Sequence, residues 1–106
     1  MTLEEFLKLL KYKPIHISKD LGDGVKFVTF RAKEGFSTNL EFGTADDNGG
    51  QYLYWEIVDW NNYHAGDIIE LNSDRRNDVL NTRLTKDNVD YIAAFINASL
   101  DRLYMS

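Results

Sequence analysis

The fold is decided by the stretch Gln51-Tyr52-Leu53-Tyr54-Trp55-Glu56-Ile57-Val58-Asp59-Trp60. Its residues alternate as they do in a β-strand, where successive side chains point to opposite faces of a sheet. One face carries Leu53, Trp55 and Ile57, and the other carries Tyr52, Tyr54, Glu56, Val58 and Trp60. Because a glutamate lies within the second set, we assign the first set to the core. The second set is then the candidate functional surface.

Three more strands are predicted before this stretch and one after it. Residues 45–50 contain Asn48-Gly49, which favours the tight turn of a β-hairpin. Residues 36–43 and 25–32 alternate with the period of strands, and Ile15 and Ile17 mark a short first strand. Residues 67–71 are the predicted fifth strand, and residues 72–84 are predicted to be an irregular connection because they lack periodicity.

A helix is predicted at each end of the chain. Thr2 and Glu5 form a capping box before a helix over residues 3–11, which Pro14 follows. Thr85 is the predicted N-cap of the second helix. The apolar stripe of that helix consists of Val89, Ile92, Ala93, Ile96, Leu100 and Leu103. We therefore expect one α+β domain over residues 1–106, an antiparallel sheet in the order α-β-β-β-β-β-α with both helices on one face.

Composition excludes several classes of protein. The chain has 106 residues, of which 43% are apolar, and no cysteine, so disulfides and thiolate chemistry are absent. The start Met1-Thr2-Leu3-Glu4-Glu5 is acidic rather than basic, and no apolar run approaches the roughly 20 residues of a membrane span. We expect a cytoplasmic protein with no membrane association.

Charge is distributed unevenly along the chain. The net charge is −5, with +2 over residues 1–40 and −7 over residues 41–106. Residues 34–74 contain nine carboxylates, seven of the fourteen aromatic residues, and neither lysine nor arginine. Such a segment suits a cationic partner, and the overall sign disfavours direct binding to nucleic acid.

No catalytic, metal or cofactor motif is found. Counted from Asp46, an EF-hand would need a carboxylate at the twelfth position, where Ile57 stands. Glu56 and Asp59 cannot act as a carboxylate pair, because residues three apart on a strand point to opposite faces. The two histidines lie far apart in sequence, and no serine has the context of a nucleophile. We expect no enzymatic activity and no cofactor.

The order of several short motifs is similar to the C-terminal half of the SUKH immunity superfamily. The motifs are Phe42-Gly43, Asp47-Asn48-Gly49-Gly50, Tyr52-Leu53-Tyr54, Gly66-Asp67-Ile68-Ile69 and Tyr91-Ile92-Ala93-Ala94-Phe95-Ile96. Residues 1–35 depart from the helical start of that family. The resemblance implies an immunity protein that neutralises a toxin, which agrees with an acidic binding surface.

The leading hypothesis is a small acidic protein that inhibits a basic, nucleic-acid-handling partner such as a nuclease toxin or a defence effector. Aromatic anchors and carboxylates would fill the partner's cationic groove. The predicted binding residues are Tyr52, Tyr54, Glu56, Asp59, Trp60, Asp46 and Asp47. One alternative is a self-associating accessory module of phage or mobile-element type, with a homodimer possible. Another is an enzyme with a pocket between helices and sheet. In a third interpretation, residues 72–84 cover the aromatic face of the sheet, and the residues of that face are then part of the core.

Overall fold

The computed structural model describes residues 1–19, 24–44, 50–60 and 76–105. Two helices and five strands follow one another in the predicted α-β-β-β-β-β-α order. They are α1 (Leu3–Leu7), β1 (His16–Ile17), β2 (Lys26–Thr29), β3 (Phe36–Thr44), β4 (Gln51–Asp59), β5 (Arg76–Leu84) and α2 (Val89–Met105). No helix among these residues is both long and apolar enough to cross a membrane.

The sheet is a simple antiparallel meander in which each strand pairs with the next along the chain. Leu40 on β3 lies opposite Trp55 on β4, and Trp55 in turn lies opposite Leu80 on β5. The β4–β5 pairing is irregular between Trp55 and Ile57. β1 is only two residues long and forms one edge of the sheet, whereas β5 forms the other.

The core lies on the face of the sheet that the helices cover. Leu53, Trp55 and Ile57 are all buried there, as their alternation predicts. The Trp55 ring meets Phe30 edge-on at 6.0 Å between centroids, and Phe6 of α1 packs on Phe42 at 6.1 Å. The predicted stripe of α2 is buried in the same cluster. Both helices therefore contribute to one core, and the opposite face of the sheet remains as the candidate surface.

Side chains at the helix starts satisfy the first backbone N–H groups. Thr2 and Glu5 form the predicted capping box, with hydrogen bonds of 3.1 and 3.2 Å. Thr85 Oγ1 accepts the Asn88 N–H at 3.2 Å, and Asn88 Oδ1 accepts the Thr85 N–H at 2.7 Å. This reciprocal arrangement closes the turn over residues 85–88, whereas α2 itself begins at Val89, so Thr85 lies further from the helix than the predicted N-cap position.

Two predicted elements differ from the structure. The fifth strand is β5 (Arg76–Leu84), although residues 72–84 were predicted to be irregular; the predicted strand over residues 67–71 lies outside the described residues. β5 reads Arg-Asn-Asp-Val-Leu-Asn-Thr-Arg-Leu, which has no apolar alternation, and it is held as a strand by its long pairing with β4. Residues 76–84 thus lie beside β4 in the sheet, whereas residues 72–75 of the segment predicted to cover the aromatic face lie outside the described residues.

The helix α1 is shorter than predicted. It ends at Leu7, and the N–H groups of Leu9 and Leu10 bond to carbonyls three residues back, so the last turn tightens. The Lys11 N–H then leaves the helix and donates to Asn97 Oδ1 on α2 at 2.8 Å. A tertiary contact thus overrides the helical periodicity that extends to residue 11.

Candidate protein-interaction surface

The candidate site is the sheet face opposite the helices, called the outer face here. Strand register places its side chains in rows across the sheet. One row joins Phe27, Glu41, Tyr54 and Asn81, and its neighbour joins Gly43, Tyr52 and Arg83. On β2, β3 and β4 the outer face consists of Phe27, Thr29, Ser37, Asn39, Glu41, Gly43, Tyr52, Tyr54, Glu56 and Val58, and Trp60 follows β4. It brings four aromatic rings and two carboxylates together.

Tyr54 and Glu56 form a hydrogen-bonded pair along β4. The Tyr54 hydroxyl donates to Glu56 Oε2 at 2.7 Å, and Glu56 is only 7% exposed. A buried carboxylate is costly unless hydrogen bonds satisfy it, so this bond supports the fold at the centre of the outer face. In the free protein Glu56 therefore presents little surface, and one of its oxygens already accepts a hydrogen bond from Tyr54, while its contact with a partner stays a prediction.

Glu41 is the carboxylate that remains accessible among the described residues of the outer face. It is half-buried and accepts two long hydrogen bonds, from Tyr52 Oη at 3.5 Å and from Asn39 Nδ2 at 3.3 Å. Both distances lie at or beyond the usual range, so these bonds are weak and Glu41 keeps acceptor capacity. Burial, and then the charge of Glu41, raise the pKa of Tyr52, which stays a protonated donor at neutral pH.

Trp60 is held at the end of β4 with much of its ring open. Its side chain is 42% exposed, while its indole Nε1 donates to Ser37 Oγ at 2.9 Å. Its backbone N–H donates to Gly35 O at 2.7 Å, and Gly35 has a φ of 87°, a left-handed conformation that favours glycine. The turn before β3 thus fixes the orientation of an exposed aromatic ring, which suits an anchor residue.

The predicted binding residues do not all share one surface. Tyr52, Tyr54, Glu56 and Trp60 lie on the outer face as expected. Asp59 lies opposite Phe36 and directly follows Val58, which is on the outer face. Strand alternation therefore places Asp59 on the inner face of the sheet. Asp46 and Asp47 lie outside the described residues.

An aromatic ring and a carboxylate of the outer face, Phe27 and Glu41, were not among the predicted binding residues. Phe27 of β2 lies beside Glu41 and is 42% exposed, which makes it as open as Trp60. The alternation of residues 25–32 already separated Phe27 from Val28 and Phe30. Only the strand pairing shows that Phe27, Glu41 and Tyr54 lie in one row across the sheet, because the register of β2, β3 and β4 cannot be read from the sequence.

Cations reach the outer face only along its borders within the described residues. Arg83 on β5 pairs in register with Tyr52, and its side chain lies so close to Gly50 that a Cβ there would stand 2.2 Å from Arg83 Nη2. Arg76 of β5 pairs in register with Val58. The positions of the outer face on β2, β3 and β4 carry neither lysine nor arginine. Its centre is therefore aromatic and acidic, though less acidic than the sequence predicted.

The described part of the chain contains no group of three or more His, Asp or Glu side chains that could hold a metal ion. Comparison with protein-family models, with curated proteins and with solved structures finds no match to the chain. The similarity to SUKH proteins therefore rests on its short motifs, and the functional inference rests on the geometry of the outer face.

Proposed function

We propose that this protein binds another protein through its outer face and thereby occludes a cationic surface of that partner. The observation that supports this proposal best is that two separate rings of this sheet face, Phe27 and Trp60, are each 42% exposed and that its accessible carboxylate is Glu41. Large, partly exposed rings at fixed positions are the residues that dominate protein interfaces.

A lysine or arginine of the partner fits the centre of this surface. Glu41 offers a carboxylate with spare acceptor capacity, and by register it stands between Phe27 and Tyr54. Aromatic faces attract cations, and a carboxylate between rings supplies the charge of an ion pair as the surface loses water. Truncating one anchor ring should cost about 2 kcal/mol of binding free energy.

A nucleic-acid-handling protein is the class of partner that we propose. Such proteins carry clustered lysines and arginines for phosphate, and a carboxylate among rings competes for the same cations. The net charge of −5 would steer encounter with a basic surface and make association fastest at low salt. Inhibition by occlusion needs no catalytic group on this chain.

The proposal is tested by affinity capture from a lysate of the source cell, with Trp60→Ala compared with Tyr91→Ala. Tyr91 lies on α2 and is 69% exposed, so its truncation removes a similar exposed ring away from the outer face. We expect the Tyr91→Ala variant and the unmodified protein to retain the same basic protein, and the Trp60→Ala variant to lose it. Retention should also fall as salt is raised.

Equal capture by both variants would refute the outer face as the binding surface. Sedimentation of the isolated protein addresses self-association, the other use of such rings. A homo-oligomer that is insensitive to salt and is abolished by Trp60→Ala would replace the proposed function with the accessory module.

A further inference from the structure

A second surface of opposite charge lies at the β1 edge of the molecule. Residues 6–19 contain four lysines and no carboxylate, the reverse of residues 34–74. Three apolar side chains in this segment are strongly exposed: Leu9 at 39%, Ile15 at 64% and Ile17 at 43%. Exposed isoleucines between Lys13 and Lys19 are not explained by folding, since neither contributes to the buried core.

β1 has one open side. Its inner side is tied to β2, where the Ile15 N–H donates to Thr29 O and the Ser18 N–H donates to Phe27 O, both at 2.9 Å. Within the described residues no strand pairs with its other side, because β1 is the first strand of the sheet. An open strand edge offers backbone donors and acceptors to another extended chain.

A groove continues this surface towards α1. This open groove has a volume of about 420 Å³, and its lining includes the apolar residues Leu10 and Pro14, the lysines Lys8 and Lys13, and one carboxylate, Glu4. Lys11 also lines it but forms an ion pair with Asp101 at 2.9 Å. Lys13 and Lys19 have no ion-pair partner among the described residues, so their charges are available to an external anion.

We propose that the β1 edge binds an extended acidic segment of another protein, which adds to the sheet as a strand next to β1. The backbone of that segment would pair with the open side of β1, and its alternate apolar side chains would cover Ile15 and Ile17. By the same alternation Lys13 and Lys19 lie on the face of Ile15 and Ile17, so carboxylates that flank the apolar pair on that same face would meet the two lysines. The open backbone edge favours a polypeptide over an anionic membrane, since lipid head groups form no ladder of N–H and C=O groups.

This second surface differs from the outer face in its charge and in its residues. It lies on β1, the edge strand next to β2, which carries the outer-face residue Phe27, whereas the outer-face rings Tyr52 and Tyr54 belong to β4. It would let the protein hold an acidic and a basic partner together.

The test uses the labelled peptide Glu-Thr-Val-Thr-Val-Thr-Glu, whose glutamates and valines share one face when it is extended, with anisotropy as the readout. We expect binding at low salt, weakened at least about tenfold by Lys13→Glu combined with Lys19→Glu. The matched control is Lys86→Glu, which reverses an exposed lysine at the other edge of the sheet and should leave affinity unchanged. A peptide of the same length in which proline replaces the valines should not bind, because proline lacks the N–H that a strand donates.

Three results would overturn the proposal. They are equal binding of a lysine–valine peptide, equal binding by the Lys13→Glu/Lys19→Glu variant, and binding only to vesicles of phosphatidylcholine with phosphatidylserine. Circular dichroism of each variant shows whether a loss of binding reflects unfolding. If the charge variant unfolds, Ile17→Thr, a β-branched replacement on the same strand, is used instead and should also weaken peptide binding.

Discussion

The inner and outer faces of β4 differ in how far their aromatic residues are buried. Trp55 on the inner face is fully buried at 0% exposure, whereas Trp60 beyond the strand end keeps 42% of its side chain exposed. The same residue type is thus a core element at one position and a candidate anchor five residues later. The two positions differ in what packs on each face of the sheet. Helices cover the inner face, and none of the described helices packs on the outer face.

The outer face is itself divided into a sealed part and an open part. Glu56 and Val58 are buried at 7% and 6%, while Phe27 and Trp60 are open. Burial alone therefore does not distinguish the inner face from the outer face. Each of the following predictions tests whether a residue supports the fold or is a surface residue.

Replacing each of the two tryptophans with alanine should give the largest difference in stability between the inner and the outer face. Trp55→Ala removes a fully buried ring that contacts Phe30 and should lower the free energy of unfolding by about 3–5 kcal/mol. Trp60→Ala loses an exposed ring and one hydrogen bond to Ser37, which should cost about 1 kcal/mol or less. Urea unfolding monitored by circular dichroism measures both, and similar losses would erase the distinction between the faces.

Replacing each of the two carboxylates of the outer face should also change stability unequally, by a smaller difference than the one between the two tryptophan variants. Glu56→Ala leaves the Tyr54 hydroxyl without this acceptor in a buried site and should cost about 1–3 kcal/mol of stability. Glu41→Ala, whose hydrogen bonds are long, should change stability by about 0.5 kcal/mol or less. A larger loss for Glu41 in urea unfolding would make it a structural residue and not a receptor for a partner's cation.

A contact between the helical regions should make stability depend on pH. Hydrogen bonds from Tyr12 first, and then from Lys11, lower the pKa of Asp101 below its ordinary value of 3.8. Its stabilisation is therefore present above that ordinary value and is lost as pH falls through the lower folded value. The bond to Asp101 raises the pKa of Tyr12 above 10.0, so that contribution is lost only as pH rises through the folded value.

Asp101→Asn and Tyr12→Phe measure this contact. Both variants should reduce the change in the urea midpoint between neutral pH and acid, while Asp90→Asn, an exposed aspartate on the same helix, should not. An unchanged acid dependence in Asp101→Asn would show that the pKa of Asp101 is not lowered by folding.

Ser99→Ala should have the smallest effect, and its sign is informative. Ser99 is fully buried on α2, and its hydroxyl has no hydrogen-bond partner among the described residues. Removing it abolishes an unsatisfied polar group, so stability should stay equal or rise by about 1 kcal/mol. A clear loss of thermal stability would mean that the hydroxyl is satisfied in solution.

Local sequence patterns predicted the elements that are determined by residues close to one another in the sequence. The capping box of Thr2, the alternation of β4 and the stripe of α2 all follow from the order of neighbouring residues, and the structure confirms each. β5 was missed because its polar sequence is held by pairing with β4, a contact between distant segments. The burial of Glu56 and the position of Phe27 beside Glu41 were missed for the same reason, since both depend on tertiary packing and register.

The most direct measurement is acrylamide quenching of Trp60 in a Trp55→Phe background, where it is the only tryptophan. With the protein captured from lysate as partner, we predict that Trp60 is readily quenched in the free protein and shielded in the complex. Slow quenching of free Trp60, or equal quenching with and without the partner, would contradict the outer face as the surface through which this protein binds.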